Sequence, residues 1–326
     1  MKKIVSFFGD KTEVFCKLNR QAEGYAKARG LDYRWVPQNP FSVEEVIEEL
    51  KNADVGIIDV EPYGEEIFSQ IEGGARLLVR FGVGFDQVDL KAASKYGIAV
   101  ARTAGANTTA VAEMALTLIL SCRRRIGKYQ ARVKAGEWVK DISHELIGST
   151  VGIIGYGNIG RRLAKLLSGF DCRILVYDPF SKKEVLEEDG VESADLEELF
   201  RQSDAVSIHV PYTEQTHHMV NKETLALMKP TAVLVNTARG NIIDEEALYQ
   251  AIKSGKLAGA GIDVFAQEPL PLDSSLLTLE NVVLTPHVSS QTEESLWNIY
   301  KMAVDISKDF LEGKGSPYIL NQDYAG

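Results

Sequence analysis

The sequence predicts an α/β chain made of two doubly wound parallel-sheet domains, and three observations predict it. The length of 326 residues corresponds to two domains at about 150 residues each. Short β-branched apolar runs alternate with amphipathic stretches, and strands that are apolar almost throughout belong to parallel sheets covered on both faces. These runs fall into two successive sets, the second opening on a glycine-rich loop, so each set is expected to form its own domain.

In the first set, strands are expected at Lys3–Phe7, Val55–Asp59, Arg76–Val79 and Ile98–Ala101. The second set comprises Val151–Ile154, Arg173–Tyr177, Ala205–His209, Ala232–Asn236, Ala258–Asp263 and Val282–Thr285. Helical periodicity lies between them at Val43–Lys51, Asn158–Ser168, Leu196–Arg201 and Glu245–Ser254. After Asn107-Thr108-Thr109, which offers N-cap side chains, Ala110–Cys122 is apolar on almost every face. Only Glu113, Thr117 and Ser121 form a thin polar stripe, so this helix is expected to be buried on most sides, between domains or in a dimer contact. A final helix is expected at Glu293–Glu312, after the last strand of the second set; it could pack back on the first domain, though the residues alone do not fix this.

Composition narrows the class. Apolar residues make up 45% and charged residues 25% of the chain, as in ordinary globular proteins. The longest nearly apolar run, Met114–Cys122, falls far short of the about 20 residues that span a membrane. The start, MKKIVSFFGDKTEVF, has too short an apolar stretch for a signal peptide and no small-residue cleavage site. Cys16, Cys122 and Cys172 are few and scattered, which suggests reduced thiols in a cytoplasm. The net charge of −10 argues against nucleic acid as a partner. One basic cluster, Arg123-Arg124-Arg125 with Lys128, suits the last turn of a helix; a phosphate-binding role is the alternative.

Val151-Gly152-Ile153-Ile154-Gly155-Tyr156-Gly157-Asn158-Ile159-Gly160 places G-x-G-x-x-G between a strand and an amphipathic helix, the context a dinucleotide site requires. Gly155 permits the tight turn, Gly157 lets the backbone approach a pyrophosphate, and Gly160 lets helix and strand pack closely. The next strand ends at Asp178, 18 residues past Gly160, where a carboxylate accepts hydrogen bonds from the adenosine ribose and disfavours a 2′-phosphate. NAD is therefore the expected cofactor.

Beyond later strand ends lie Arg239, the segment Asp263–Pro269 with Glu268, and His287. Hydride exchange with NAD requires a proton partner that titrates near neutral pH, which favours histidine. Of His144, His209, His217, His218 and His287, only His287 ends a strand and has a plausible carboxylate partner, Glu268. Arg239 suits a bidentate clamp on a substrate carboxylate. Each also has a purely structural reading: an ion pair for Arg239, a loop charge for Glu268, a capped core position for His287.

Taken together, several stretches resemble the D-isomer-specific 2-hydroxyacid dehydrogenase family over essentially the whole chain. They are Arg80–Asp86, Gly105–Glu113, the glycine loop, His209-Val210-Pro211, Asn236–Gly240, Asp263–Phe265 with Glu268-Pro269, and Thr285-Pro286-His287. The resemblance is strongest to the phosphoglycerate and glyoxylate/hydroxypyruvate branches. It implies a flavodoxin-like substrate domain, residues 1–104 with 290–326, and a Rossmann NAD-binding domain, residues 105–289. It also implies Arg239 on the substrate carboxylate, His287 as acid/base oriented by Glu268, and backbone N–H groups of Val83 and Gly84 on the substrate. Implied cofactor contacts, besides the three glycines, are Asn158, Ile159, Asp178, Val210, Thr216, Thr237, Ala238, Asp263 and His287. The implied activity is NAD(H)-linked interconversion of a small 2-oxo acid and a D-2-hydroxy acid. A homodimer is implied, with the apolar helix after Asn107 contributing, and no extra regulatory domain is expected. The non-enzymatic alternative is an NAD-sensing regulator resembling the corepressor relatives, the C-terminal-binding proteins.

Overall fold

The computed structural model describes residues 1–38 and 40–325. The chain divides into two compact units, Met1–Asn107 with Thr292–Gly326, and Thr108–Gln291.

The first unit holds five strands: β1 (Lys2–Ser6), β2 (Leu31–Trp35), β3 (Val55–Ile58), β4 (Leu77–Arg80) and β5 (Ala99–Arg102). All neighbouring pairs are parallel, in the order β2-β1-β3-β4-β5 of a flavodoxin-like sheet. Alternate side chains divide between its two faces. Ile4, Ile57, Leu77, Val79, Ala99 and Ala101 pack with Leu18 and Ala22 of helix Glu13–Lys27, and with Ile299, Tyr300 and Ala303 of helix Glu293–Leu311. Val5, Ile58, Leu78 and Val100 pack on the other side with Val46, Ile47 and Leu50 of helix Val43–Lys51. The C-terminal helix is thus an integral layer of the N-terminal sheet. Its start is capped by Thr292, which accepts from the Ser295 N–H at 3.1 Å.

Strand β2 and helix Glu13–Lys27 are among the elements here that escape the sequence analysis. LDYRW, which forms β2, alternates buried and exposed residues because β2 is an edge strand. Helix Glu13–Lys27 carries its apolar stripe among many charged residues, and Leu18, Asn19, Ala22 and Ala26 are its buried positions.

The second unit holds β6 (Thr150–Ile154), β7 (Arg173–Tyr177), β8 (Glu192–Ser193), β9 (Ala205–Ile208), β10 (Val233–Asn236), β11 (Gly259–Ile262) and β12 (Val282–Leu284). Its parallel order is β12-β11-β10-β9-β6-β7-β8, a Rossmann sheet with a seventh strand. Helix Thr108–Arg123 lies on one face: Ala112, Ala115, Leu118 and Ile119 pack with Val151, Ile153, Val233 and Val235. The approach is close enough that a Cβ on Gly261 would sit 2.8 Å from Leu118 Cβ. Glu113 and Thr117 stay exposed. No described helix is long and apolar enough to cross a membrane.

The basic cluster is held by protein groups. Arg123 is buried, its Nε donating to Glu145 O at 3.1 Å and its Nη1 to Asp204 O at 3.1 Å. Arg125 turns the chain with a left-handed φ of 54°, and Lys128 pairs with Asp141 at 2.8 Å.

Candidate active site

In the second unit the strand sequence runs outward from β6 in both directions, to β7 and to β9. Ligands of open α/β sheets bind beyond the carboxyl ends of the strands at such a reversal. Gly155, Val210, Thr237, Asp263 and Thr285 all follow strand ends at this one edge.

β6 ends at Ile154 and Gly155 turns the chain with a φ of +94°, while its N–H donates to Tyr177 O at 2.9 Å. A Cβ at Gly155 would lie 2.8 Å from the His209 carbonyl, and one at Gly160 would lie 2.2 Å from Gly155 O. Both glycines are demanded by the fold. Gly157 differs, because a Cβ there would meet no protein atom within 4 Å. The loop is open on the side where helix Asn158–Leu167 begins, and the first-turn N–H groups of Asn158 and Ile159 favour an anion there. Asp178 is tied to the same loop, its Oδ2 accepting from Tyr156 N–H at 2.7 Å and its Oδ1 from Phe180 N–H at 2.8 Å.

Beyond β9, Val210 is partly buried, and Thr216 closes a turn by donating to Pro211 O at 2.8 Å. After β10, Ala238 N–H donates to Asn236 Oδ1 at 2.9 Å, while Thr237 Oγ1 is buried without a partner among the described residues. The open cradle at Gly157, the helix start and this unsatisfied hydroxyl fit a dinucleotide.

Arg239 has extended backbone, its carbonyl accepting from Asn236 Nδ2 at 2.9 Å and its Nη1 donating to Ala238 O at 2.7 Å. The next residue, Gly240, is packed so tightly that a Cβ would be 1.9 Å from the Phe265 carbonyl carbon. That contact brings the arginine turn against the segment leading to Glu268. Glu268 Oε1 accepts from the Phe265 N–H at 2.9 Å and Oε2 lies 2.7 Å from His287 Nδ1. Burial pushes the Glu268 carboxyl up, but the bonds from His287 and Phe265, helped by the charges of His287 and Arg239, hold it below the usual carboxylate range. An ionised carboxylate only accepts, so Nδ1 carries the proton and Nε2 is the nitrogen left to exchange one.

His287 adopts φ +53°, unusual for a residue with a side chain. Its N–H donates to Asp263 O at 2.8 Å. Asp263 is fully buried, and its carboxylate faces the histidine loop: Oδ1 accepts from Thr285 Oγ1 at 2.5 Å and Val288 N–H at 2.9 Å, Oδ2 from Ser289 N–H at 2.9 Å and Ser289 Oγ at 2.5 Å. Sequence reasoning missed Thr285 and Ser289 as site residues, since no local pattern links them to Asp263 more than 20 positions earlier.

The other histidines are placed differently. His209 shares a 2.9 Å hydrogen bond with Ser207 Oγ, and burial pushes its pKa down to about 4, so it stays neutral. His217 stacks on His218 with centroids 3.9 Å apart, and His144 is exposed.

In the first unit, Gly82 follows β4 with φ +119° and its N–H donates to Thr103 Oγ1 at 2.9 Å. Val83 and Gly84 continue this partly buried turn. Arg80 Nη1 lies 4.0 Å from Asp59 Oδ1, whose carboxyl burial pushes up to about 6 against the arginine charge.

Residues 116–289 match the family model of the D-isomer specific 2-hydroxyacid dehydrogenase NAD-binding domain. A glyoxylate reductase of Korarchaeum cryptofilum is 39% identical over 296 residues, 89% of each chain. A hydroxypyruvate reductase of Thermotoga maritima is 45% identical over 232 residues, 69% of this chain and 74% of that one. The solved structure of a D-2-hydroxyisocaproate dehydrogenase superposes with a TM-score of 0.87 at 33% identity, covering 98% of this chain and 100% of the other. The chain therefore belongs to the D-isomer specific 2-hydroxyacid dehydrogenase family and is an NAD-dependent oxidoreductase of 2-hydroxy acids.

Proposed function

We propose that this enzyme interconverts a small, unphosphorylated 2-oxo acid and the D-2-hydroxy acid through Arg239, Glu268 and His287. The observation that carries the reading is the 2.7 Å contact of His287 Nδ1 with Glu268 Oε2, in a corner whose carboxyl is held ionised. NADH bound at the glycine loop supplies the hydride for the carbonyl carbon. Arg239 holds the substrate carboxylate with its planar fork and stabilises charge growing on the neighbouring oxygen. The Val83 and Gly84 N–H groups serve as further substrate donors, as the family resemblance implies. His287 Nε2 gives its proton to the carbonyl oxygen as the hydride arrives, so the product is a neutral alcohol. Glu268 meanwhile fixes the ring through Nδ1–H. In the oxidising direction Nε2 takes the hydroxyl proton back.

The engagement of Arg123 with carbonyls and of Lys128 with Asp141 supports the unphosphorylated substrate, because these cations are already neutralised or bonded. Residues 1–104 with 290–326 are proposed as the substrate domain, residues 105–289 as the NAD domain. A homodimer is supported by Ile126, Val133, Trp138, Ile142 and Ile147, large apolar residues left exposed along one stretch. Helix Thr108–Arg123, by contrast, spends its apolar faces within its own unit. Three free cysteines support a reducing, cytoplasmic setting.

The test is NADH oxidation with glyoxylate, hydroxypyruvate, pyruvate, phosphohydroxypyruvate and bulkier oxo acids, on a preparation whose mass in solution is measured. Turnover of glyoxylate or hydroxypyruvate to the D-product, by a particle of two chains, is expected. Absence of NADH loss with every acid would move the protein to the regulator reading, and a single-chain mass would remove the dimer.

A further inference from the structure

We infer that Glu61 and Tyr63, in the loop after β3, recognise a hydroxyl group on the substrate, so that the preferred substrate is a 2-oxo acid with a hydroxyl on the carbon next to the carbonyl. The inference rests on the reading of the first unit as the substrate domain and deepens it by naming the class of acid.

In the five-stranded sheet the chain runs outward from β1 in both directions, to β2 and to β3. Ligands of flavodoxin-like sheets bind beyond the strand ends at that reversal. Asp59 follows β3 there. Its Oδ1 accepts from the Val60 N–H at 2.8 Å, and its carboxyl also takes the N–H of Gly9, in the loop after β1. The loop then pairs with the turn after β4. Tyr63 N–H donates to Gln87 O at 2.9 Å, and Asp89 N–H donates to Tyr63 O at 2.9 Å. That turn carries Val83 and Gly84, the proposed substrate donors.

Tyr63 is fully buried, its ring edge-on to Phe41 with centroids 5.9 Å apart. Its hydroxyl and Glu61 Oε2 are both buried, and neither has a hydrogen-bond partner among the described residues. Burial first, then the charges of Glu61 and Asp59, push the phenol well above its ordinary pKa, so it stays protonated and able to donate. Tyr63 and Glu61 are thus electrostatic neighbours that do not bond each other. Buried polar groups are costly to leave unpaired, and an unpaired one in a native fold calls for an occupant. One hydroxyl placed between the two satisfies both, donating to the carboxylate oxygen and accepting from the phenol. An ammonium only donates. A methyl leaves both groups unpaired, and a phosphate brings like charge against Asp59 and Glu61.

The experiment measures kcat/KM for hydroxypyruvate, pyruvate and phosphohydroxypyruvate with wild type, Tyr63→Phe and Glu61→Gln. Hydroxypyruvate and pyruvate differ only by the hydroxyl. Wild type is expected to prefer hydroxypyruvate about 100-fold, because a site built to bond a hydroxyl rejects the analogue that lacks it. Phosphohydroxypyruvate is expected to be the poorest of the three. Each variant is expected to narrow the hydroxypyruvate-to-pyruvate ratio about 10-fold. A merely structural role for the pair lowers both acids alike and leaves the ratio at its wild-type value, which overturns the inference. So does a phosphohydroxypyruvate kcat/KM above that of hydroxypyruvate. If Tyr63→Phe does not fold, Glu61→Gln, at a partly exposed position, decides by the same ratio. Absence of NADH loss with every acid overturns the oxo-acid reading and the inference with it. Turnover of hydroxypyruvate and pyruvate with equal kcat/KM by wild type overturns the inference alone.

Discussion

The glycine loop and the histidine corner occupy the same edge of the seven-stranded sheet but are made from opposite materials. The loop depends on missing side chains: Gly155 and Gly160 let backbone meet backbone, and Gly157 leaves an opening. The corner depends on side chains that reach across sequence, Glu268 to His287 over 19 positions and Thr285 to Asp263 over 22. A site that binds a large cofactor through its phosphates needs a cradle and a dipole. A site that moves one proton needs a ring fixed to fractions of an ångström, and that takes several bonds to one anchor.

Substitutions can break this contrast at either end. A large effect is expected in the corner: Arg239→Lys keeps the charge but loses the fork, so kcat/KM for the oxo acid should fall about 100-fold, roughly 2.7 kcal/mol, mostly through KM. An unchanged KM would show that the arginine does not hold the substrate. Next comes Gly160→Ala, whose new Cβ would lie 2.2 Å from the backbone oxygen of Gly155. Overpacking of this kind costs about 1–3 kcal/mol, read as a lower melting temperature. Smallest in stability is Gly157→Ala, which meets nothing in the protein. Its melting temperature should match wild type while NADH binds about 10-fold more weakly, about 1.4 kcal/mol. Equal stability losses in the two glycine variants would erase the distinction between a fold glycine and a ligand glycine.

The same contrast explains what was legible in the sequence. Buried parallel strands such as Ala205–Ile208 and Val233–Asn236 announce themselves as apolar runs, and the glycine loop is a contiguous pattern between a strand and a helix. The edge strands β2 and β8 expose alternate or all residues, so no apolar run marks them. His287 and Glu268 could be paired on sequence only as one candidate among structural readings, and the family resemblance did the rest. Thr285, Ser289 and the inward turn of Asp263 were illegible, because nothing in a short window says that a threonine and a serine will close on an aspartate from a different strand end. The Arg123–Arg125 cluster shows the reverse case: a conspicuous run of cations whose first member is buried against the carbonyls of Glu145 and Asp204.

The central claim is that His287 carries the proton while the glycine loop independently holds the cofactor. The direct measurement is turnover and NADH affinity of His287→Ala on the same preparation. Loss of general acid/base catalysis removes about 10²–10⁴-fold of rate, so kcat should fall by that factor while NADH binds as tightly as to wild type. Wild-type-like kcat in that variant would contradict the account.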